Sequence, residues 1–304
     1  MLSYTEARGL YSKFTNNDGS TNLTLGDTLL NENIRKVLGA VSWPFLEYER
    51  TYTTVADQQF YDLPADLDKL IDVTITVGTI IYRPLQVASW DDWREYNSTT
   101  GVTSDNPSYF FVKTGADGPQ VGFWPIPATS GNTITIVYQK LYRDMTKSDY
   151  EVGTITTVTN GGTTITGSGS SWDASMAGRW IRIDYGGANS GDGIWYQIES
   201  VTSATELELS RPYLGTAIAA GSATYTIGDV MPIPEKYQML PIYGAANDYW
   251  MMESDPSRAD RFLNMYDTLM QQMKDEEGKK TTSPVLDVYE NTPYINPNLN
   301  PTVT

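Results

Sequence analysis

Three carboxylates within five positions, Asp91, Asp92 and Glu95, have the make-up of a paired acid and base or of a cation site. They follow Ser89 in a stretch that breaks an alternating pattern. There a cap and first-turn carboxylates favour the helix dipole for structural reasons alone. A second oxygen-rich group, Asp184, Asn189 and Asp192, lies in the glycine-rich run 184–193, and flexible oxygen ligands suit calcium. Its spacing departs from the helix-loop-helix calcium pattern, and a hairpin turn accounts for the same residues. Gly167-Ser168-Gly169-Ser170-Ser171 resembles a nucleophile elbow only in outline and reads as a turn. No glycine-rich stretch carries the lysine of a phosphate-binding loop, and Lys147 stands outside such a context.

The chain contains no histidine and no cysteine. That removes the commonest general base, the Ser-His-Asp arrangement, thiol chemistry, disulfides and cysteine-rich zinc sites. No catalytic residue, metal ligand or cofactor is assigned, and the chain is expected not to be an enzyme. Trp172, Trp180 and Trp195 could stack on sugars, although core packing in a small β-unit explains them as well. The methionines Met251, Met252, Met265, Met270 and Met273 make an adaptable helix surface. Of these, Met265, Met270 and Met273 are a candidate partner-binding face, with core packing as the alternative.

With 304 residues, 40% of them hydrophobic and 12% aromatic, the chain can bury a substantial core. Its formal charge of −16 argues against tight nucleic-acid binding, because affinity for phosphates needs clustered cations and no basic run is longer than the short Lys279-Lys280. A surface past which DNA slides without sticking fits the charge, as does ordinary solubility. No apolar run is long enough to span a membrane, and Met1 to Arg8 lacks the character of a secretory signal, so cytoplasmic synthesis and assembly are expected.

Stepping outward, Ser3 or Thr5 predicts the cap of a short helix ending near Phe14, and Asn16 to Ser20 is turn chemistry. Thr24 with Asp27 predicts a capping box for a second helix. Its apolar face is Leu25, Leu29, Leu30, Ile34, Val37, Leu38 and Val41, its polar side Asn31, Glu32, Asn33, Arg35 and Lys36, and Pro44 ends it. From Glu49 the period falls to two. Strands are expected around 50–55, 59–64, 71–77, with Ile71, Val73, Ile75 and Val77 on one face, and 80–82. A short helix follows Ser89, then a hairpin of 109–112 and 121–124 through Asp117-Gly118, and a strand at 134–138. Residues 151–228 turn rich in Gly, Ser and Thr, with strands expected at 154–158, 180–183, 195–198, 206–209 and 225–227. Helix returns with Pro234 in its first turn, and again with Asp255 as cap and Pro256 as first residue.

The expected fold is α+β. A helical bundle is formed by 1–48 and 229–278, an antiparallel β-domain by 49–150, and an inserted small β-barrel or sandwich by 151–228. An extended, proline-interrupted tail covers 279–304. Val285, Leu286, Val288, Tyr289, Tyr294 and Ile295 are its candidate anchors on a partner.

Several motifs in fixed order then carry a resemblance: Trp43-Pro44-Phe45-Leu46-Glu47, Tyr61-Asp62-Leu63-Pro64-Ala65-Asp66, Asn106-Pro107-Ser108-Tyr109-Phe110, Trp124-Pro125-Ile126-Pro127 and Ile134 to Tyr138. Ile233-Pro234-Glu235-Lys236-Tyr237 and Tyr243-Gly244-Ala245-Ala246 complete them. Over about 1–145 and 229–275 the chain resembles the head-to-tail adaptor, or tail tubular, proteins of tailed bacteriophages, and 151–228 departs from their simple pattern. The resemblance implies a structural subunit of a twelve-fold ring at the virion neck. Its helices would meet the portal, its β part the next tail or nozzle component, and its bore would pass double-stranded DNA without specific binding. Two other readings compete: a carbohydrate- or cell-surface-binding phage module, and a cell-wall hydrolase built on Asp91, Asp92 or Glu95.

Overall fold

The computed structural model describes residues 1–278 except 88, 97, 99, 100, 116, 117, 187–189 and 220. Helix α1 (Tyr4–Thr15) starts on Ser3, whose hydroxyl accepts the Glu6 N–H at 3.3 Å while the Glu6 carboxylate accepts the Ser3 N–H at 2.9 Å. Asn16, left-handed at φ 51, ends it. Helix α2 (Ser20–Gly39) begins one turn before the expected Thr24 cap, on Gly19, and the Thr24 hydroxyl donates to the Ser20 carbonyl from inside the helix. The cause is tertiary. Buried Asn22 donates to Thr15 Oγ1 and to the Asn17 carbonyl and accepts from the Tyr11 hydroxyl, which pins the early turn to α1. At the other end α2 stops at Gly39, and Pro44 opens a short 3-10 turn, Pro44–Leu46.

Eight strands and one helix follow: β1 (Glu47–Thr53), β2 (Phe60–Asp62), β3 (Leu67–Val77), β4 (Ile80–Tyr82), β5 (Leu85–Gln86), α3 (Trp90–Tyr96), β6 (Tyr109–Gly115), β7 (Gly118–Trp124) and β8 (Thr133–Lys140). They make two four-stranded sheets, β1-β8-β3-β4 and β2-β7-β6-β5, antiparallel except where β5 meets β6. The two sheets share a core that includes Val73, Ile75, Phe110, Val121, Phe123, Ile134 and Ile136. Ile71 does not join it. A register shift between Leu70 and Asp72 changes the phase of β3 and leaves Ile71 44% exposed. The expected hairpin pairs through Gly115 and Gly118, and its Asp117 lies outside the described residues.

Next come β9 (Thr154–Val158), β10 (Thr164–Ser168), β11 (Trp180–Ile183), β12 (Trp195–Ser203), β13 (Glu206–Leu209) and β14 (Tyr225–Gly228), one sheet in the order β14-β11-β12-β13-β10-β9. Gly167 and Ser168, expected in a turn, close strand β10, where Ile165 is fully buried opposite Leu207. The sheet curls back on itself. Bridges Tyr150↔Ile227, Ile155↔Ala223 and Val158↔Ile218 join the stretch containing β9 to the stretch leading into β14.

Helices α4 (Leu240–Met252) and α5 (Pro256–Glu276) complete the chain. Pro234 precedes only a 3-10 turn, Glu235–Tyr237, and α4 starts later. Asp255 caps α5 as expected, accepting the Arg258 N–H at 3.1 Å. Helix α4 packs against α1, α2 and α5, and one core holds Tyr11, Leu30, Ile34, Trp43, Leu240, Ile242, Met270 and Met273.

The polar side expected for α2 is only partly exposed, since Asn31 and Asn33 are buried. Asn31 trades hydrogen bonds with the Met145 backbone at 2.9 and 3.0 Å, and Asn33 donates to Asp248 Oδ2 of α4 at 2.9 Å. Close approach is bought with two glycines. A Cβ at Gly26 would enter the Tyr11 ring, and one at Gly244 would strike the Asn33 side chain.

Gly26→Ala and Gly244→Ala should each lower stability by about 1–3 kcal/mol through overpacking. Gly39→Ala, which meets open space, should raise it by about 0.5–1 kcal/mol. Denaturant melts of the three variants check the contrast.

Candidate functional site

The residues singled out for chemistry are occupied with local structure. Asp92 Oδ2 accepts the Ser89 hydroxyl at 2.6 Å, Ser89 Oγ accepts the Asp92 N–H at 3.1 Å, and Asp91 and Glu95 are exposed on α3. The residue that α3 buries is Trp93, stacked on Phe111 and edge-on to Phe60. In the glycine-rich loop, Asp192 accepts the Tyr196 hydroxyl at 2.6 Å and the Ile194 N–H at 3.0 Å. Asp184 instead leans towards Arg182 at 3.7 Å, and Asn189 lies outside the described residues. Among the described residues no three acidic groups converge as a metal site, and no helix is long and apolar enough to cross a membrane.

Two of the three tryptophans of 151–228 are buried: Trp172 in the core of the curled sheet, and Trp195 on its other face, beside Arg182 and the start of the chain. Trp172 is buried and donates to the Tyr225 hydroxyl at 2.9 Å; Trp195 is buried and donates to the Met1 carbonyl at 2.9 Å. Trp180 is half-buried. Of the methionine face, Met270 and Met273 belong to the helical core, while Met265 remains 39% exposed near exposed Leu263. Met251 and Met252, at the end of α4, are exposed too. The tail anchors Val285, Leu286, Val288, Tyr289, Tyr294 and Ile295 lie outside the described residues.

What the fold does bring together is a junction. A half-open cleft of about 720 Å³ lies between β1 and the end of β8, the curled sheet, and the segments 141–147 and 229–235, lined by Tyr48, Lys140, Arg143, Lys147, Arg179 and Asp229 among others. Arg179 is 8% exposed. It pairs with Asp229 at 2.9 Å and donates to the Ser148 carbonyl at 2.9 Å. The other Asp229 oxygen accepts the Thr146 and Lys147 N–H groups, both at 3.0 Å. The first residues of the chain stitch across the same seam. Ser3 pairs with Val230 as an isolated bridge and its hydroxyl donates to Asp149 at 2.6 Å. Glu6 takes Arg182 of β11 at 3.2 Å. Nearby, burial and then the Asp66 carboxylate push the Tyr138 phenol up to about 12, and burial with Asp144 raises that of Tyr142 further.

Sequence reading missed this seam. Arg179 and Asp229 stand 50 positions apart, Ser3 and Asp149 146 apart, and no local motif marks Arg179, Asp229 or Asp149, while that of Ser3 points only to its cap. These polar groups join three parts of the chain: its first residues, the segment 146–149, and the curled sheet with Asp229.

The family model described as SU10 adaptor protein matches residues 4–159, just over half of the 304-residue chain. The chain belongs to the SU10 adaptor protein family. It is thus a bacteriophage structural adaptor, as the ordered motifs from Trp43 to Tyr138 imply. The match to the SU10 adaptor model runs from α1 through β9; the rest of the curled sheet, α4 and α5 lie beyond it. Among curated proteins none matches the chain.

Arg179→Ala should strand the Asp229 carboxylate in the seam and cost about 3–5 kcal/mol, read as a lower melting midpoint and faster proteolysis between 141 and 150. Raised phenols such as Tyr138 and Tyr225, pushed to about 12 from 10.0, mean that the unfolded chain ionises first as the pH climbs. Their contribution is whole below pH 10 and falls away through the folded values, so alkaline unfolding should begin as the pH passes about 10, checked by circular dichroism.

Proposed function

We propose that this SU10 adaptor is a ring subunit at the virion neck, seated beneath the portal, joining head to tail and lining the genome channel. Twelve copies are the proposed number. Family membership over residues 4–159 is the observation that carries the reading. The charge of −16 supports it, since a bore of one negative sign lets double-stranded DNA pass without being gripped. Assembly would take place in the host cytoplasm, and no enzymatic step or cofactor is needed.

In this reading the chain works as four parts. Residues 1–48 and 229–278 act as a helical bundle that meets the portal. Residues 49–150 act as a β-domain facing the next tail or nozzle component. Residues 151–228 form an inserted β-domain pinned by the Arg179 seam, and 279–304 a tail that lies along the portal. Val285, Leu286, Val288, Tyr289, Tyr294 and Ile295 would anchor that tail, with ordering entropy met by burial on docking. On the helical side the proposed contact falls on Met265, with Met270 and Met273 supporting it from the core. The carbohydrate-binding alternative is disfavoured by the burial of Trp172 in the sheet's core and of Trp195 under the start of the chain, which leaves no aromatic platform at those two residues.

Electron microscopy of the purified chain mixed with the portal protein of its phage should show a ring of this chain under the portal. Free, unassociated subunits beside bare portals would reject the reading. Removing 281–304 should leave the chain folded and weaken docking at least tenfold; undiminished docking would remove the tail from the mechanism.

A further inference from the structure

Among the described residues the sheet β1-β8-β3-β4 has both of its edges open: there strand β1 pairs only with β8, and β4 only with β3. Six of the seven residues of β1 are exposed, and on β4 Ile80 and Ile81 are 56% and 65% exposed. Open edges of this kind are templates for another strand.

Resting on the ring reading above, we propose that neighbouring copies of this chain join edge to edge, β4 of one copy pairing antiparallel with β1 of the next. Direction favours it. Every neighbour in this sheet is antiparallel, so β1 and β4 run in opposite senses, and a copy placed beside another by rotation continues the alternation.

Side-chain parity favours it as well. Tyr48, Arg50 and Tyr52 stand opposite Tyr138, Ile136 and Ile134, on the core side of the sheet; Glu47, Glu49 and Thr51 are on the outer side. Ile80 and Tyr82 stand opposite Val77 and Ile75, again on the core side, and Ile81 opposite Thr76 on the outer side. The shared core is therefore unsealed at both ends. With Ile81 set against Thr51, Ile80 meets Tyr52, Tyr82 meets Arg50, and just beyond β4 Arg83 meets Glu49. These are an apolar–aromatic pair, a cation over a ring and an opposite-charge pair. A one-residue slip would turn Ile80 and Tyr82 to the outer face. Within the subunit, Arg83 reaches Asp72 at 3.7 Å on the surface, and Glu49 and Arg50 have no ion-pair partner among the described residues.

Pairing like edges across a two-fold axis is less favourable: centring β1 on its own copy sets Arg50 against Arg50, and pairing β4 with its own copy leaves both β1 edges uncovered. The contact is thus head-to-tail, the kind that closes by rotation. Strand β4 is only three residues long, and so short a pairing is marginal alone. It closes when copies are already held side by side.

The chain has no cysteine, so two introduced thiols report on this contact alone. Phage carrying the double substitution Thr51→Cys and Ile81→Cys, both exposed on the outer side, are purified and treated with a short bis-maleimide. A covalent ladder of this chain is expected from the double variant and monomers from each single variant. A chain present in the particles that gives no ladder, or dimers from a single variant, overturns the edge pairing and leaves the ring reading standing. Absence of the unaltered chain from purified wild-type particles overturns both. Should the cysteine variant fail to enter particles, charge reversal decides. Glu49→Arg and Arg83→Glu should each cut incorporation at least tenfold, and the two together should restore it; no restoration overturns the proposal.

Discussion

Arg179 is a permanent cation removed almost entirely from water, and its acceptors come from segments distant in sequence. A buried guanidinium is tolerated only when every neighbour is placed to answer it, because its desolvation costs several kcal/mol before any pairing returns. That requirement ties the curled sheet to the chain entering it at Lys147–Ser148 and to the chain leaving it at Asp229. The exposed pairs elsewhere, such as Arg83 with Asp72, impose no comparable constraint, since solvent competes for both partners. The seam is consequently where the orientation of the curled sheet is decided.

The first residues of the chain extend the same logic. Met1, Ser3 and Glu6 bond to Trp195, Asp149 and Arg182, so the start of α1 is held by residues of the curled sheet and of the segment entering it. Behind it, buried asparagines do for the helices what Arg179 does for the sheet. Asn22 fixes α2 to α1, Asn31 fixes it to the segment after β8, and Asn33 fixes it to α4. Each is an amide whose burial would be costly if unanswered, so each tolerates one arrangement of its neighbours.

Much of the local structure was legible. Ser3 (one of the two caps expected for α1, with Thr5), Ser89 before α3 and Asp255-Pro256 before α5 each satisfy helix donors with residues a few positions away, so their signals survive folding. Thr24 misled, because an equally good cap motif lost to a buried Asn22 that rewards an earlier start. Ile71 misled because a bulge in β3 shifts the phase, and a bulge leaves no mark on composition. Met270 and Met273 carried two readings, core or partner face, that periodicity alone leaves equal; the position of α5 against α4 puts both in the core.

The amino-acid sequence by itself determined that this chain has no histidine or cysteine chemistry, that it carries a large negative charge, and that helices flank alternating strands. Those properties belong to residue types and short spacings, which every conformation shares. Which polar groups meet across 50 or 146 positions, which asparagines are buried, and which strand edges are left open were decided only by the tertiary structure. The reason is that desolvation acts on neighbours in space, and a buried charge or an open sheet edge has no meaning until the distant segments that answer it, or fail to, are in place.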